Sequence, residues 1–161
     1  MKRVLAVATL FLAVSTAARA QRSHGYLFLA PGGVSSSGHT AMTLQLGAGV
    51  DAVLFKGFGV GAELGAIGPR EDFAGNVLGV ASVNGYYHFL HGRPKADPFV
   101  TGGYTVMFRS GSINLLNFGG GINYWFVPRL GLKVELRDHA YDIAHGSSVH
   151  YWGIRLGLAF R

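Results

Sequence analysis

Over its last third the chain alternates with a period of two. In "RLGLKVELRDH" (129–139), Leu130, Leu132, Val134 and Leu136 alternate with Gly131, Lys133, Glu135 and Arg137. In "VHYWGIRLGLAFR" (149–161), Trp152, Ile154, Leu156, Leu158 and Phe160 share one parity. Tyr151, Gly153, Arg155, Gly157, Ala159 and Arg161 share the other. Successive side chains of a strand point to opposite faces, so each stretch is a strand with one apolar and one polar face. Residues 115–126 repeat the pattern, with Leu116, Phe118, Ile122, Tyr124 and Phe126 against Asn117, Gly119, Gly121, Asn123 and Trp125. So do residues 59–67, where Val60, Ala62, Leu64 and Ala66 oppose Gly59, Gly61, Glu63 and Gly65.

The polar faces decide which side meets solvent. A soluble surface carries about a quarter or more charged residues. Here charged residues are 14% of the chain, glycines number 25, and the polar faces hold mostly glycine and asparagine. Such faces fit a narrow interior in which opposite charges pair, because an isolated buried charge is costly. The charges assigned to that interior are Glu63, Lys133, Glu135, Arg137 and Arg155. Turned this way, the leucines face lipid.

The N-terminus supports an exported chain. "MKRVLAVATLFLAVSTAARA" has Lys2 and Arg3, an apolar or small run from Val4 to Val14, and the ending Ala18-Arg19-Ala20. That is the pattern of a secretory signal cleaved before Gln21, and the run is too short for a spanning helix, which needs about 20 residues. The expected division is a signal peptide over 1–20 and one barrel domain over 21–161. Setting aside Lys2, Arg3 and Arg19 lowers the net charge from +6 to +3, and no basic stripe points to nucleic acid. With no cysteine, the chain has no lipoprotein attachment site, disulfide framework or thiol-based metal site.

Eight strand-like segments follow the signal, at 24–30, 40–54, 59–67, 77–89, 99–108, 115–126, 130–138 and 149–160. A tilted strand needs about 9–11 residues to cross a bilayer, and the first and third are short by that measure. "FKGF" (55–58) and "VPR" (127–129) are short connections. "PGGVSSSGH" (31–39), "GPREDFAGN" (68–76), "RSGSIN" (109–114) and "HAYDIAHGSS" (139–148) are longer and polar, and "LHGRPKADP" (90–98) is a long loop where a tight turn is expected. Alternating short and long connections over an even number of strands predict an all-β, eight-stranded antiparallel up-and-down transmembrane barrel, short turns periplasmic and longer loops outside. Aromatics mark both ends of the segments. Phe55, Phe58, Phe89, Phe126 and Phe160 fall at one, and Phe108, Tyr151 and Trp152 at the other, as the two interfacial belts of such a barrel do.

The run "NFGGGINYWFVPRLGLKVELRDH", the terminal "HYWGIRLGLAFR" and the mid-barrel "PFVTGGYT" (98–105) resemble the small outer-membrane β-barrel domain proteins, broadly OmpA-type. The resemblance covers residues 21–161. It implies an eight-stranded barrel in the outer membrane, surrounded by lipid and lipopolysaccharide, with the last strand read by the outer-membrane assembly machinery. It implies no catalytic activity. One departure is Arg161, because the family's insertion signal ends on the aromatic itself, here Phe160.

Other motifs carry little. Gly47-Ala-Gly49-Val-Asp-Ala52 and Gly57-Phe-Gly59-Val-Gly-Ala62 satisfy a loose dinucleotide fingerprint, but the helix it needs is missing from a period-two stretch. An eight-stranded barrel is only wide enough for side chains, so the five interior charges are read as a structural plug and no channel is expected. His139, His145 and His150 have no metal-ligand spacing, and neither metal nor cofactor is expected. The enzymatic alternative is a lipid A deacylase built on His145 and Ser147, which are two residues apart but have no acid downstream of Asp142. The other alternative is a soluble lipocalin-like barrel with its apolar face turned inward around a ligand. The expected role is non-catalytic: structural, or interaction through the outer loops.

Overall fold

A computed structural model describes residues 22–36, 39–90, 95–143 and 147–161, and the signal segment 1–20 lies outside them. Eight strands form one closed antiparallel ring in chain order: β1 (Arg22–Ser36), β2 (His39–Phe55), β3 (Phe58–Pro69), β4 (Leu78–His88), β5 (Ala96–Phe108), β6 (Ser112–Val127), β7 (Leu130–Ile143) and β8 (Ser147–Phe160). No helix among the described residues is long and apolar enough to cross a membrane.

The strands reach further toward the longer loops than the apolar pattern implies. β1 stays paired with β2 through Ser36↔His39, so most of "PGGVSSSGH" is strand. β6 starts at Ser112 and β7 runs to Ile143, which shortens two more of the expected loops. The reason is physical: a hydrogen-bonded ladder above the apolar band needs no apolar side chains, so alternation fades while pairing continues. The β3–β4 connection at 70–77 keeps a loop of its own, folded by Asn76 N–H on the Asp72 carbonyl at 3.1 Å.

At the opposite end, called here the turn end, Lys56 (φ 45°) and Gly57 (φ 88°) join β2 to β3. Positive φ at both positions of a two-residue hairpin gives the turn whose twist matches the strands it joins. Where the ring closes between β1 and β8, the ladder runs from Gly25↔Phe160 to Leu29↔Leu156 and resumes at Gly32↔Gly153. Pro31, inside that gap, has no N–H to give. At Gly32 the two backbones come so close that a Cβ would run into the Trp152 carbonyl and the Gly153 Cα.

The two faces of the ring are chemically opposite. Outside stands a band of exposed apolar side chains, with Leu64 and Val83 each 68% and Leu116 66% accessible. Inside are buried Gln45, Glu63, Asn84, Asn117, Lys133, Glu135, Arg137 and Arg155. This is the reverse of a soluble ligand-binding barrel. A continuous apolar exterior of this kind is tolerated in lipid and aggregates in water.

Candidate functional site

The interior is built in three layers along the barrel axis. Toward the longer loops, Ile67, Val80, Met107 and Leu115 form a buried apolar layer, with Leu78, Ile113, Tyr141 and Tyr151 packed against it. At the turn end, His88 bridges two carboxylates, Nδ1 at 2.9 Å from Asp97 Oδ2 and Nε2 at 3.1 Å from Asp51 Oδ2. His24 stands edge-on to Trp125 beside them. Between these layers lies the charged centre.

That centre joins the five charges assigned from sequence. Arg155 Nη1 donates to Glu63 Oε2 at 2.8 Å, and Arg137 Nη2 lies 3.3 Å from Glu63 Oε1. Arg137 Nε bonds Glu135 Oε1, and Lys133 Nζ lies 3.4 Å from Glu135 Oε2. β3 supplies one carboxylate, β7 the second with two of the cations, and β8 the third cation, so the network spans the interior. Tyr26 O–H donates to Glu63 at 2.6 Å, and Asn117 Oδ1 accepts from Arg137 Nη1 at 2.7 Å. The Lys133 ammonium sits among three rings, 3.9 Å from the centroid of Phe99, 4.6 Å from Tyr26 and 5.3 Å from Tyr86, which offsets part of its desolvation. A cavity of about 10 Å³ beside Arg137, His139 and Arg155 has room for one water at most.

Glycines make this crowding possible. Gly49 lies in register with Tyr26 on one side and Glu63 on the other, so the tyrosine crosses it to reach the carboxylate. A Cβ on Gly49 would stand 2.5 Å from the Tyr26 hydroxyl. Gly49→Ala is expected to lower stability by about 1–3 kcal/mol through overpacking, read as an earlier urea midpoint in detergent. Gly111→Ala, where a Cβ meets nothing within 4 Å, should leave the midpoint unchanged.

The aromatic residues divide unevenly. Phe55, Phe58, Phe89, Phe126 and Phe160 are exposed at the turn end, and Phe108 and Trp152 are exposed toward the loops. Tyr151 corrects the sequence assignment: its parity is that of Arg155, and it packs inward against the apolar layer instead of joining a belt. Arg161 also has a definite place, with its guanidinium 3.9 Å from the Trp125 ring and its Nε donating to the Pro128 carbonyl at 3.0 Å.

Sequence reading missed the turn-end layer of His24, Asp51, His88 and Asp97, and the tyrosines on Glu63. Period-two parity within β1, β2, β4 and β5 was the signal that could have found them. The two described histidines around the last loop point to opposite faces. His139 is buried facing inward and His150 faces outward, while His145 and the Ser147 side chain lie outside the described residues. No group of three or more His, Cys, Asp or Glu able to hold a metal occurs among the described residues. In the interior, the Ser82 and Thr105 hydroxyls bond each other at 2.8 Å.

A closed ring of eight antiparallel strands, apolar outside and charged within, defines the fold of an eight-stranded transmembrane β-barrel. Solved structures agree on this fold. Neisserial surface protein A superposes with a TM-score of 0.68 at 12% identity, over 86% of this chain and 96% of that one. The N-terminal β-barrel domain of Pseudomonas aeruginosa OprF gives 0.56 at 17% identity, over 86% and 100%. The outer membrane protein OprG of Pseudomonas aeruginosa gives 0.51 at 13% identity, over 86% and 94%. In sequence, neither a known family nor a curated protein matches the chain.

Proposed function

We propose that this is an integral outer-membrane protein with a plugged lumen, whose interior is structural and whose role lies at its wall and rim. The observation that carries the reading is the Arg155–Glu63–Arg137–Glu135 network across the interior, with a cavity of about 10 Å³ beside it. A barrel of this width has no room for both that network and a conducting path. Lipid and lipopolysaccharide surround the apolar band. The assembly machinery reads β8, whose exposed Phe160 is its last strand residue, and the segment 1–20 directs export.

The expected behaviour is extraction only by detergent and a compact gel band that shifts on boiling. Reconstituted into planar bilayers, the folded protein should give no steady conductance. Sustained open-channel current would overturn the plugged reading, and a water-soluble protein without the gel shift would overturn the barrel assignment.

A further inference from the structure

A second polar cluster stands on the outer wall. β7 and β8 pair with Ala140 opposite His150 and Asp138 opposite Trp152, so Asp138 and His150 are diagonal neighbours. Ser148 and His150, two apart on one strand, share a face. His150 Nδ1 lies 2.7 Å from Asp138 Oδ2, and His150 Nε2 lies 3.2 Å from Ser148 Oγ. Carboxylate, imidazole and hydroxyl thus stand in the order that nucleophilic acyl transfer needs. The carboxylate holds the Nδ1–H tautomer and leaves Nε2 to take the serine proton.

A second observation says what lies beside them. β6 and β7 pair only from Leu116↔Ala140 toward the turn end. Beyond that point Asn114 remains with β5 and Tyr141 with β8, so the two strands part. The parting leaves a groove of about 370 Å³ lined by Tyr104, Leu115, Leu116 and Tyr141, with Ser148 and His150 at its edge. That volume falls within the usual range of about 300–1,000 Å³ for small-molecule sites. Trp152, the outward residue after His150 on β8, is exposed with its indole N–H on Ser35 Oγ, and Ile154 and Leu156 continue the apolar band. The three groups therefore sit where the wall passes from apolar to polar. In a membrane lipid, the ester bonds lie at that level.

The geometry points to a serine hydrolase site, with Ser148 as nucleophile, His150 as base and Asp138 as its positioning residue, acting on ester-linked acyl chains of a membrane lipid held in this groove. Ser148 Oγ attacks the ester carbonyl as its proton passes to His150 Nε2. The tetrahedral intermediate collapses, the acyl C–O bond breaks, and the leaving alkoxide takes the proton from His150. Water then attacks the acyl-serine, giving its proton to His150, which returns it to Ser148 Oγ as the fatty acid departs. Asn114 lines the same groove and carries a side-chain amide, a donor of the kind an oxyanion needs. The inference rests on the reading that this wall lies in the outer membrane, and it adds chemistry there to a barrel whose interior is structural.

The test uses the full chain, folded in detergent and checked by its boiling-dependent gel shift, with an alkyl fluorophosphonate as covalent probe. Mass spectrometry should place the phosphonate on Ser148, with none bound to Ser148→Ala. Fatty acid release is then measured from phospholipid vesicles and, separately, from lipopolysaccharide, to tell the two ester sources apart. Ser148→Ala should lower release by about 10³-fold or more. Asp138→Asn should slow both labelling and release by a similar order, because the imidazole loses its tautomer. A chain without the gel shift fails the barrel reading itself. A folded chain left unlabelled at Ser148, release that survives Ser148→Ala, or labelling without release from either lipid would each overturn the site.

Discussion

Glu63→Ala is expected to be among the most damaging single changes in this barrel, costing about 3–5 kcal/mol because it leaves buried cations without their partner. Arg155 suffers most. It would keep a 3.4 Å contact to Gln45 Oε1, a 3.5 Å contact to His139 Nε2 and the face of the Phe28 ring, with its nearest carboxylate, Glu135, at 3.8 Å. Arg137 retains its bond to Glu135 and accepts less damage. The buried Tyr26 hydroxyl would lose its 2.6 Å acceptor as well. Urea unfolding of the protein in lipid vesicles should show the loss directly. Glu63→Gln, which keeps an oxygen acceptor without the charge, should cost less. A Glu63→Ala variant as stable as the parent would show that the central network contributes no net stability.

The second large effect concerns the outside. Leu156 lies midway along β8 between the exposed aromatics Trp152 and Phe160, and it is itself exposed. Leu156→Arg should therefore cost about 2–4 kcal/mol, the penalty for a cation at the bilayer midplane, and should reduce the folded fraction in vesicles. The contrast with position 155 makes the test specific. The native arginine there is buried and bonded to Glu63. Moving an arginine by one residue moves it from the interior to lipid. If Leu156→Arg folded as readily as the parent, this face would not be lipid-facing.

Both predictions rest on parity, which was also the most legible property of the sequence. Residues 130–136 and 152–160 alternate strictly, so the inward placement of Lys133, Glu135, Arg137 and Arg155 follows from the pattern alone. Tyr151 shows where a competing signal misled. An aromatic near a strand end invites assignment to a belt, yet its parity already placed it with Arg155. The loop-side strand ends were hidden for a different reason, since Ser35 and Ser36 remain paired without any apolar side chain to mark them.

The wall site was illegible for a third reason. Asp138 and Ser148 are separated by a strand reversal, and only the register Ala140↔His150 brings the acid beside the imidazole. Along the chain no acid follows Asp142, whereas in the wall site Asp138 reaches His150 from the preceding strand. Sequence supplies the residue types, but pairing supplies their geometry.

The seam between β1 and β8 has a consequence for how fast the ring forms. Adjacent hairpins join residues close in sequence, but Gly25↔Phe160 brings together nearly the two ends of the described chain. Contacts of such sequence separation carry the largest loop-closure entropy and form slowly. The interruption at Pro31 and the tight approach at Gly32 both fall on that same junction. Closing the ring is therefore the step most exposed to kinetic failure. A small defect there would act first on the yield and rate of assembly, and only later on the stability of barrels that had already closed.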